Sequence, residues 1–200
     1  VSPGFVVVDA AGNYTFKGAG SITDSGSPAG LLKTNGGTLT VLTTNSYTGV
    51  TTIAGGVLEA STLANGGSPS SIGAASFSAL NLVFDGGTLR YLGETVAIDR
   101  AATIHAGGAT LDVPPATTML TLNNSLAGPG GLAKTGPGGL TLIAANTHAG
   151  GTLVSGGTLQ VNVAGAVGTG GVTNNGATLR LNGALTLDNE IEFNGDCVEA

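Results

Sequence analysis

The chain has no tryptophan, one cysteine, six basic residues and only 9% charged residues in all, and each shortage removes a class of protein. A lone cysteine, Cys197, excludes a disulfide-stapled scaffold and leaves the redox compartment open. Its neighbours Asp196 and Glu199 are acidic, the wrong setting for a reactive thiolate, so Cys197 reads as a plain free thiol. Twelve acids against six bases give a formal net charge of −6, which repels polyanions in the mean, so no nucleic-acid partner is expected. No run approaches the roughly 20 apolar residues that cross a bilayer as a helix, and no membrane insertion of this segment is expected. The opening VSPGFVVVDAAGN lacks the basic flank and apolar length of a signal peptide, so the chain reads as part of a longer one.

What is abundant is glycine, with 36 of 200 residues, beside 41% hydrophobic residues. Glycine inside helices costs about 1 kcal/mol each relative to alanine, so a helical bundle is excluded. Solubility must rest on Thr, Ser and Asn, while the apolar fraction suffices for a core.

The sequence repeats itself. Gly30 to Ala60, GLLKTNGGTLTVLTTNSYTGVTTIAGGVLEA, returns at an offset of 101 as Gly131 to Val161, GLAKTGPGGLTLIAANTHAGGTLVSGGTLQV. Identities include Gly30/Gly131, Leu31/Leu132, Lys33/Lys134, Thr34/Thr135, Asn45/Asn146, Thr51/Thr152 and Leu58/Leu159. The copies are bounded at 30–61 and 131–161, and a repeat is first of all a stacking unit.

Within the repeats a short phrase recurs: Gly or Ala, a small residue, Leu, a polar residue, then usually an apolar one. It appears around Leu39, Leu58, Leu89, Leu111, Leu140, Leu159 and Leu179. Such alternation is a strand with one buried face, so the leucines point inward and Thr40, Glu59, Arg90, Asp112, Thr141, Gln160 and Arg180 point out. From Leu39 to Leu58, Leu140 to Leu159 and Leu159 to Leu179 the step is about twenty residues, too long for a hairpin and right for one circuit of three short strands. The expected fold is all-β, a single-stranded parallel β-helix (solenoid) over 1–200, with the leucines in one column. Val50–Ala54, Leu80–Phe84, Thr103–Ala106, Met119–Leu122 and Thr152–Ser155 supply other walls. Glycine pairs such as Gly55-Gly56 and Gly156-Gly157 mark corners. The Ser-rich stretch 61–78 reads as a loop insertion that leaves the helix and returns, the natural place for a grafted function.

The run Gly30-Leu31-Leu32-Lys33-Thr34, Gly37-Thr38-Leu39-Thr40, Asn45-Ser46-Tyr47-Thr48-Gly49, Thr51-Thr52-Ile53 and Gly55-Gly56-Val57-Leu58 resembles the autotransporter-associated β-strand repeat, also called the passenger-associated transport repeat. Gly131 through Leu159 resembles it equally, departing at His148 and Ala149, where the first copy has Tyr47 and Thr48, and at Leu153, where it has Thr52. The resemblance implies a right-handed β-helical passenger segment of a large secreted or surface-displayed bacterial protein, exported through an outer-membrane translocator barrel. It also implies a role in passenger folding and secretion and as a stalk, with no catalytic motif, cofactor or metal.

Several residue patterns invite other chemistry. Gly128-Pro129-Gly130-Gly131-Leu132-Ala133-Lys134-Thr135 is one residue short of a phosphate-binding loop, but Gly136-Pro137-Gly138-Gly139 and a strand follow where a helix is required. The same Lys33-Thr34 pair in the first copy has no such frame, so the repeat explains the lysine. His105 and His148 have no His, Cys or carboxylate at metal-ligand spacing, and His148, in the tyrosine slot, is expected at a corner. Asp188, Glu190 and Glu192 alternate and share one face of a strand, a solvated wall that discourages edge pairing. A polysaccharide lyase or hydrolase would need acids converging in a groove. The candidates are Glu59, Asp85, Asp99, Arg100 and Asp112, of which Glu59 and Asp112 with Arg90 instead form an outward charge ladder. Tyr14, Tyr47 and Tyr91 are too few for sugar-stacking platforms, several aromatics being expected inward. An adhesin binding a surface glycan or host protein through its loops is the alternative role, and open solenoid ends predict self-association.

Overall fold

A computed structural model describes residues 1–195, so Cys197 with its neighbours Asp196 and Glu199 lies outside the described residues. The chain is an all-β parallel solenoid of about eight turns. Numbered β1 to β21 in chain order, its strands sort into three walls. The first wall stacks β1 (Val6–Asp9), β3 (Leu31–Thr34), β5 (Thr51–Ile53), β7 (Leu82–Phe84), β10 (Ala102–Ile104), β13 (Leu126–Gly128) and β16 (Thr147–His148). The second stacks β2 (Tyr14–Phe16), β4 (Thr38–Val41), β6 (Val57–Ala60), β8 (Thr88–Tyr91), β11 (Ala109–Asp112), β14 (Leu132–Thr135), β17 (Thr152–Val154), β19 (Val172–Asn175) and β21 (Ile191–Asn194). The third stacks β9 (Val96–Ile98), β12 (Met119–Leu122), β15 (Gly139–Leu142), β18 (Thr158–Val161) and β20 (Thr178–Leu181). Neighbouring strands are parallel throughout the three walls.

The alternation does what its period requires. In β4 Leu39 and Val41 are wholly buried while Thr38 and Thr40 are half-buried, and β6, β8 and β18 repeat that pattern. Each buried leucine contributes about 1.5–3 kcal/mol, too little for one coil to stand alone, so the coils are held by the core that they share. Thr141, expected to point out, is buried within β15, where all four residues are covered.

The leucines form two columns, where the sequence suggested one. Leu39, Leu58, Leu89 and Leu111 are stacked in the second wall, whereas Leu120, Leu140, Leu159 and Leu179 are stacked in the third. The first repeat occupies walls one and two (β3 to β6), and the second occupies walls two and three (β14, β15, β17 and β18). The offset between copies is therefore a whole number of turns plus one wall. The repeat encodes an edge, two walls and the corner between them, and two different edges of the prism accept it.

Those corners fix two glycines. Gly56 and Gly157 have φ of 59° and 61°, and a Cβ there would collide with the carbonyl oxygens of Gly37 and Gly138. The preceding corner takes the same left-handed turn at Asn35 (φ 58°) in the first copy and at Gly136 (φ 75°) in the second.

Residues 61–78 lie partly inside the solenoid. Leu63, Ser70, Ser71, Ile72, Ala74 and Ala75 are buried, and Ser70 pairs with Asn45 through an isolated antiparallel bridge. This stretch closes the prism at a level below β9, where the third wall has no regular strand. Its end exposes Phe77 at 59%, and just beyond it Leu80 is 75% exposed in a 3-10 turn, Ala79–Asn81.

Candidate functional site

The polar groups inside the solenoid form one constellation, built twice. Lys33 and Lys134 sit at inward positions of β3 and β14, wholly buried among leucines. Lys33 Nζ donates to the carbonyl oxygens of Thr34 (2.6 Å), Asn35 (2.9 Å) and Gly55 (3.3 Å). Lys134 Nζ donates to those of Thr135 (2.6 Å), Gly136 (2.9 Å) and Gly156 (3.1 Å). The left-handed corner turns these carbonyls inward, and an ammonium has three donors to give them. The third carbonyl belongs to the next coil, so each lysine ties two coils together. Burial brings the Lys134 amine down to about 8, with Asp112 acting in the opposite direction, and it lowers Lys33 against the pull of Asp9.

Asn45 and Asn146 are rivets across three coils. Asn45 Oδ1 accepts from the Ile22 amide below, and its Nδ2 donates to the Ser71 carbonyl above. Asn146 Oδ1 accepts from Leu126, and its Nδ2 donates to Ala166. Beside each asparagine an aromatic ring makes a relay. Tyr47 Oη bonds Thr51 Oγ1 at 2.7 Å, and Thr51 donates to the Ile72 carbonyl at 3.1 Å. His148 Nε2 bonds Thr152 Oγ1 at 2.9 Å, and Thr152 donates to Val167 at 2.8 Å. His148 is thus a buried wall residue in β16, where the sequence placed it at a corner. Its substitution for tyrosine keeps the donor to threonine and shortens the ring.

Of the remaining candidates, Glu59 and Asp112 meet at Arg90 in an open pocket on the outer face, whereas Asp85, Asp99 and Arg100 bind backbone groups elsewhere. Arg100, 2% exposed, donates to the carbonyls of Ala64, Ser68 and Gly73 and so clamps the 61–78 segment from inside. Asp99 accepts from the Gly66 amide, and Asp85 from the Gly107 amide. On the outer face of the second wall Glu59, Arg90 and Asp112 are in register, and Arg90 reaches Glu59 at 3.3 Å and Asp112 at 2.6 Å. The charge ladder read from the sequence is therefore present. The run Gly128 to Thr135 spans the last residue of β13 and all of β14 with no helix after it, and the Lys134 ammonium is spent on carbonyls. His105 is exposed, as are Asp188, Glu190 and Glu192. Tyr47 and Tyr91 are buried, and Tyr14 is 56% exposed. Among the described residues no group of three His, Cys, Asp or Glu is placed to hold a metal ion, and no helix is long and apolar enough to cross a membrane.

This distribution sharpens the electrostatics. Lys33, Lys134 and Arg100 are buried and Arg90 is paired, which leaves Lys17 and Arg180 as the basic side chains exposed to solvent among the described residues. The outer surface is more acidic than the net charge suggests. An open groove of about 680 Å³ follows the corner between walls one and two, floored by Gly107, Gly108, Gly131, Gly150, Gly151 and Gly171, with no charged side chain in its lining.

The reasons for the shared Lys, Asn and Thr were hidden from sequence reasoning, although their identity in both copies marked them. Leucines could be assigned to the core by pattern, whereas a lysine in an inward register position becomes intelligible only once the corner carbonyls are seen.

Comparison with known proteins agrees with this internal duplication. The passenger-associated-transport-repeat family matches residues 31–60 and 132–161. The chain is also similar to the "Adhesin BmaC autotransporter" of Brucella suis biovar 1 (strain 1330), with 42% identity over 150 residues. That match covers 74% of this chain and 4% of the adhesin, so the chain spans a small part of the relative's length. No solved structure matches. With both copies of the constellation falling inside the two matched segments, the chain carries two passenger-associated transport repeats within a β-solenoid.

Proposed function

We infer that this solenoid is a structural passenger segment of a surface-displayed, outer-membrane-associated autotransporter, where it assists passenger folding during secretion and acts as a stalk. The observation that carries this reading is the repeated interior: Lys33 and Lys134, Asn45 and Asn146, and Thr51 and Thr152 each place at least one hydrogen bond between one coil and the next. What the two copies share is stacking chemistry. The 42% identity to an autotransporter adhesin supplies the setting, with an outer-membrane translocator barrel as the partner in the full-length protein.

The segment is read as non-enzymatic. Glu59 and Asp112 share the single cation of Arg90, while Asp85 and Asp99 hold backbone amides at separate corners. A glycosidase would bring two carboxyls to about 5–10 Å across a groove. The test is to delete residues 30–61, 131–161, or both, from the full-length protein and measure surface exposure of the passenger by protease shaving. Export is expected to fall in each deletion and most in the double one; unchanged export would overturn the folding role.

The second reading, adhesion through loops to a surface glycan or a host protein, is favoured by exposed Phe77 and Leu80 on the outward part of the 61–81 stretch. Replacing both with serine is expected to lower cell binding with export intact. The acidic exterior favours a neutral or basic target over a polyanion.

A further inference from the structure

Of the two copies of the interior constellation, one holds a histidine where the other holds a tyrosine. His148 is wholly buried, and its two ring nitrogens differ in their surroundings. Thr152 Oγ1 already donates its proton to the Val167 carbonyl, so it accepts from His148 Nε2, which fixes the neutral tautomer with its proton on Nε2. Nδ1 is left as a bare acceptor, buried and without a hydrogen-bond partner. A second proton would have to enter there, placing a charge in the core, where the Leu126 backbone alone favours it. We propose that His148 makes the second repeat an acid-sensitive joint, in which protonation of the buried imidazole opens the β16–β17 coil while the first repeat, with Tyr47 in that place, stays closed.

Apart from the Leu126 backbone, the surroundings offer the imidazolium no partner. Below it in register is Gly128 of β13, two residues after Leu126; alongside is Thr152 of β17; above are Val167 and Gly168. All are neutral. Lys134, the buried cation of the neighbouring wall, directs its ammonium to Thr135, Gly136 and Gly156, and a second positive charge in the same coils adds repulsion. Desolvation depresses His148 below its ordinary range, with the Leu126 backbone pulling weakly the other way. The sign follows: an imidazole harder to protonate when folded gives stability that is complete above the unfolded value of about 6.5 and is lost as pH falls from there through the folded value. β16 is the last strand of the first wall, so the coil that would open has a wall strand below it and irregular chain above.

The test is hydrogen–deuterium exchange of the 200-residue chain at pH 7.5 and pH 5.0, corrected for intrinsic chemistry. Peptides over residues 145–170 are expected to lose protection by about tenfold per pH unit below 6.5 until the folded value is reached, while those over residues 44–75 keep theirs. His148→Tyr, which restores the side chain of the first copy, is expected to abolish the difference. Equal behaviour of the two repeats, or an unchanged acid response in His148→Tyr, would overturn the proposal. Should that variant not fold, NMR titration of the His148 ring in the unmodified chain decides: a midpoint below that of free histidine supports the joint, and one at or above it rejects it.

Discussion

Tyr47 and His148 occupy the same interior position of two repeats, and each bonds a threonine four residues further on whose own proton goes to the coil above. Two rings of different length serve one relay because the threonine, held by its carbonyl partner, is the fixed point. Tyr47 is driven up to about 12 by burial and stays protonated across the ordinary pH range, so its relay is insensitive to pH.

Asn146→Ala is expected to destabilise the second repeat by about 2–4 kcal/mol, since it strands a buried amide of Leu126 and a buried carbonyl of Ala166. Chemical denaturation followed by circular dichroism measures it. Asn45→Ala should act alike on the first repeat, and a cost below about 1 kcal/mol for both would show that water replaces the rivet.

Lys134 links stability to alkaline pH. Its amine is held near 8 when folded and near 10.4 when unfolded, so the unfolded chain takes up the proton first as pH falls. Stability should therefore rise between pH 8 and pH 9.5, and Lys134→Met should flatten that rise in thermal melts across the window. Lys134→Ala, which also leaves a cavity and three uncovered carbonyls, should cost about 2–5 kcal/mol at pH 7.

Arg90 sits between two carboxylates on a partly exposed face, where ion pairs are worth about 0–1 kcal/mol each. Arg90→Ala is expected to be mild. Arg90→Glu places three acids on adjacent strands, so a larger loss is expected in low salt, shrinking in 1 M NaCl; a salt-independent loss would point to packing of the arginine stem instead.

Gly157→Ala tests the corner. With φ at 61° and a Cβ directed at the Gly138 carbonyl, the substitution should cost more than about 1 kcal/mol, whereas Gly36→Ala, with nothing within 4 Å of its Cβ, should be nearly neutral. Parallel melts of the two variants check the difference.

The contrast between Leu159 and Lys134 shows how far the sequence reached. Leu159 belongs to an alternating phrase with a glycine pair before it, and alternation over four residues is a local property, legible without coordinates. Lys134 also falls on an inward position, but nothing local tells a buried lysine from a solvated one. Its burial depends on a carbonyl of Gly156, which reaches it only when the next coil closes.

By itself the sequence determined the in-and-out alternation of the strands, the glycine corners and, through steps of about twenty residues, the parallel winding of the chain, because each follows from spacing along the backbone. Tertiary structure alone decided that the second repeat sits one wall around from the first, that part of residues 61–78 is buried against the solenoid, and that two lysines and a histidine lie inside. Those outcomes depend on the summed length of irregular chain between coils and on contacts made one turn away, and neither quantity is written in any single stretch of residues.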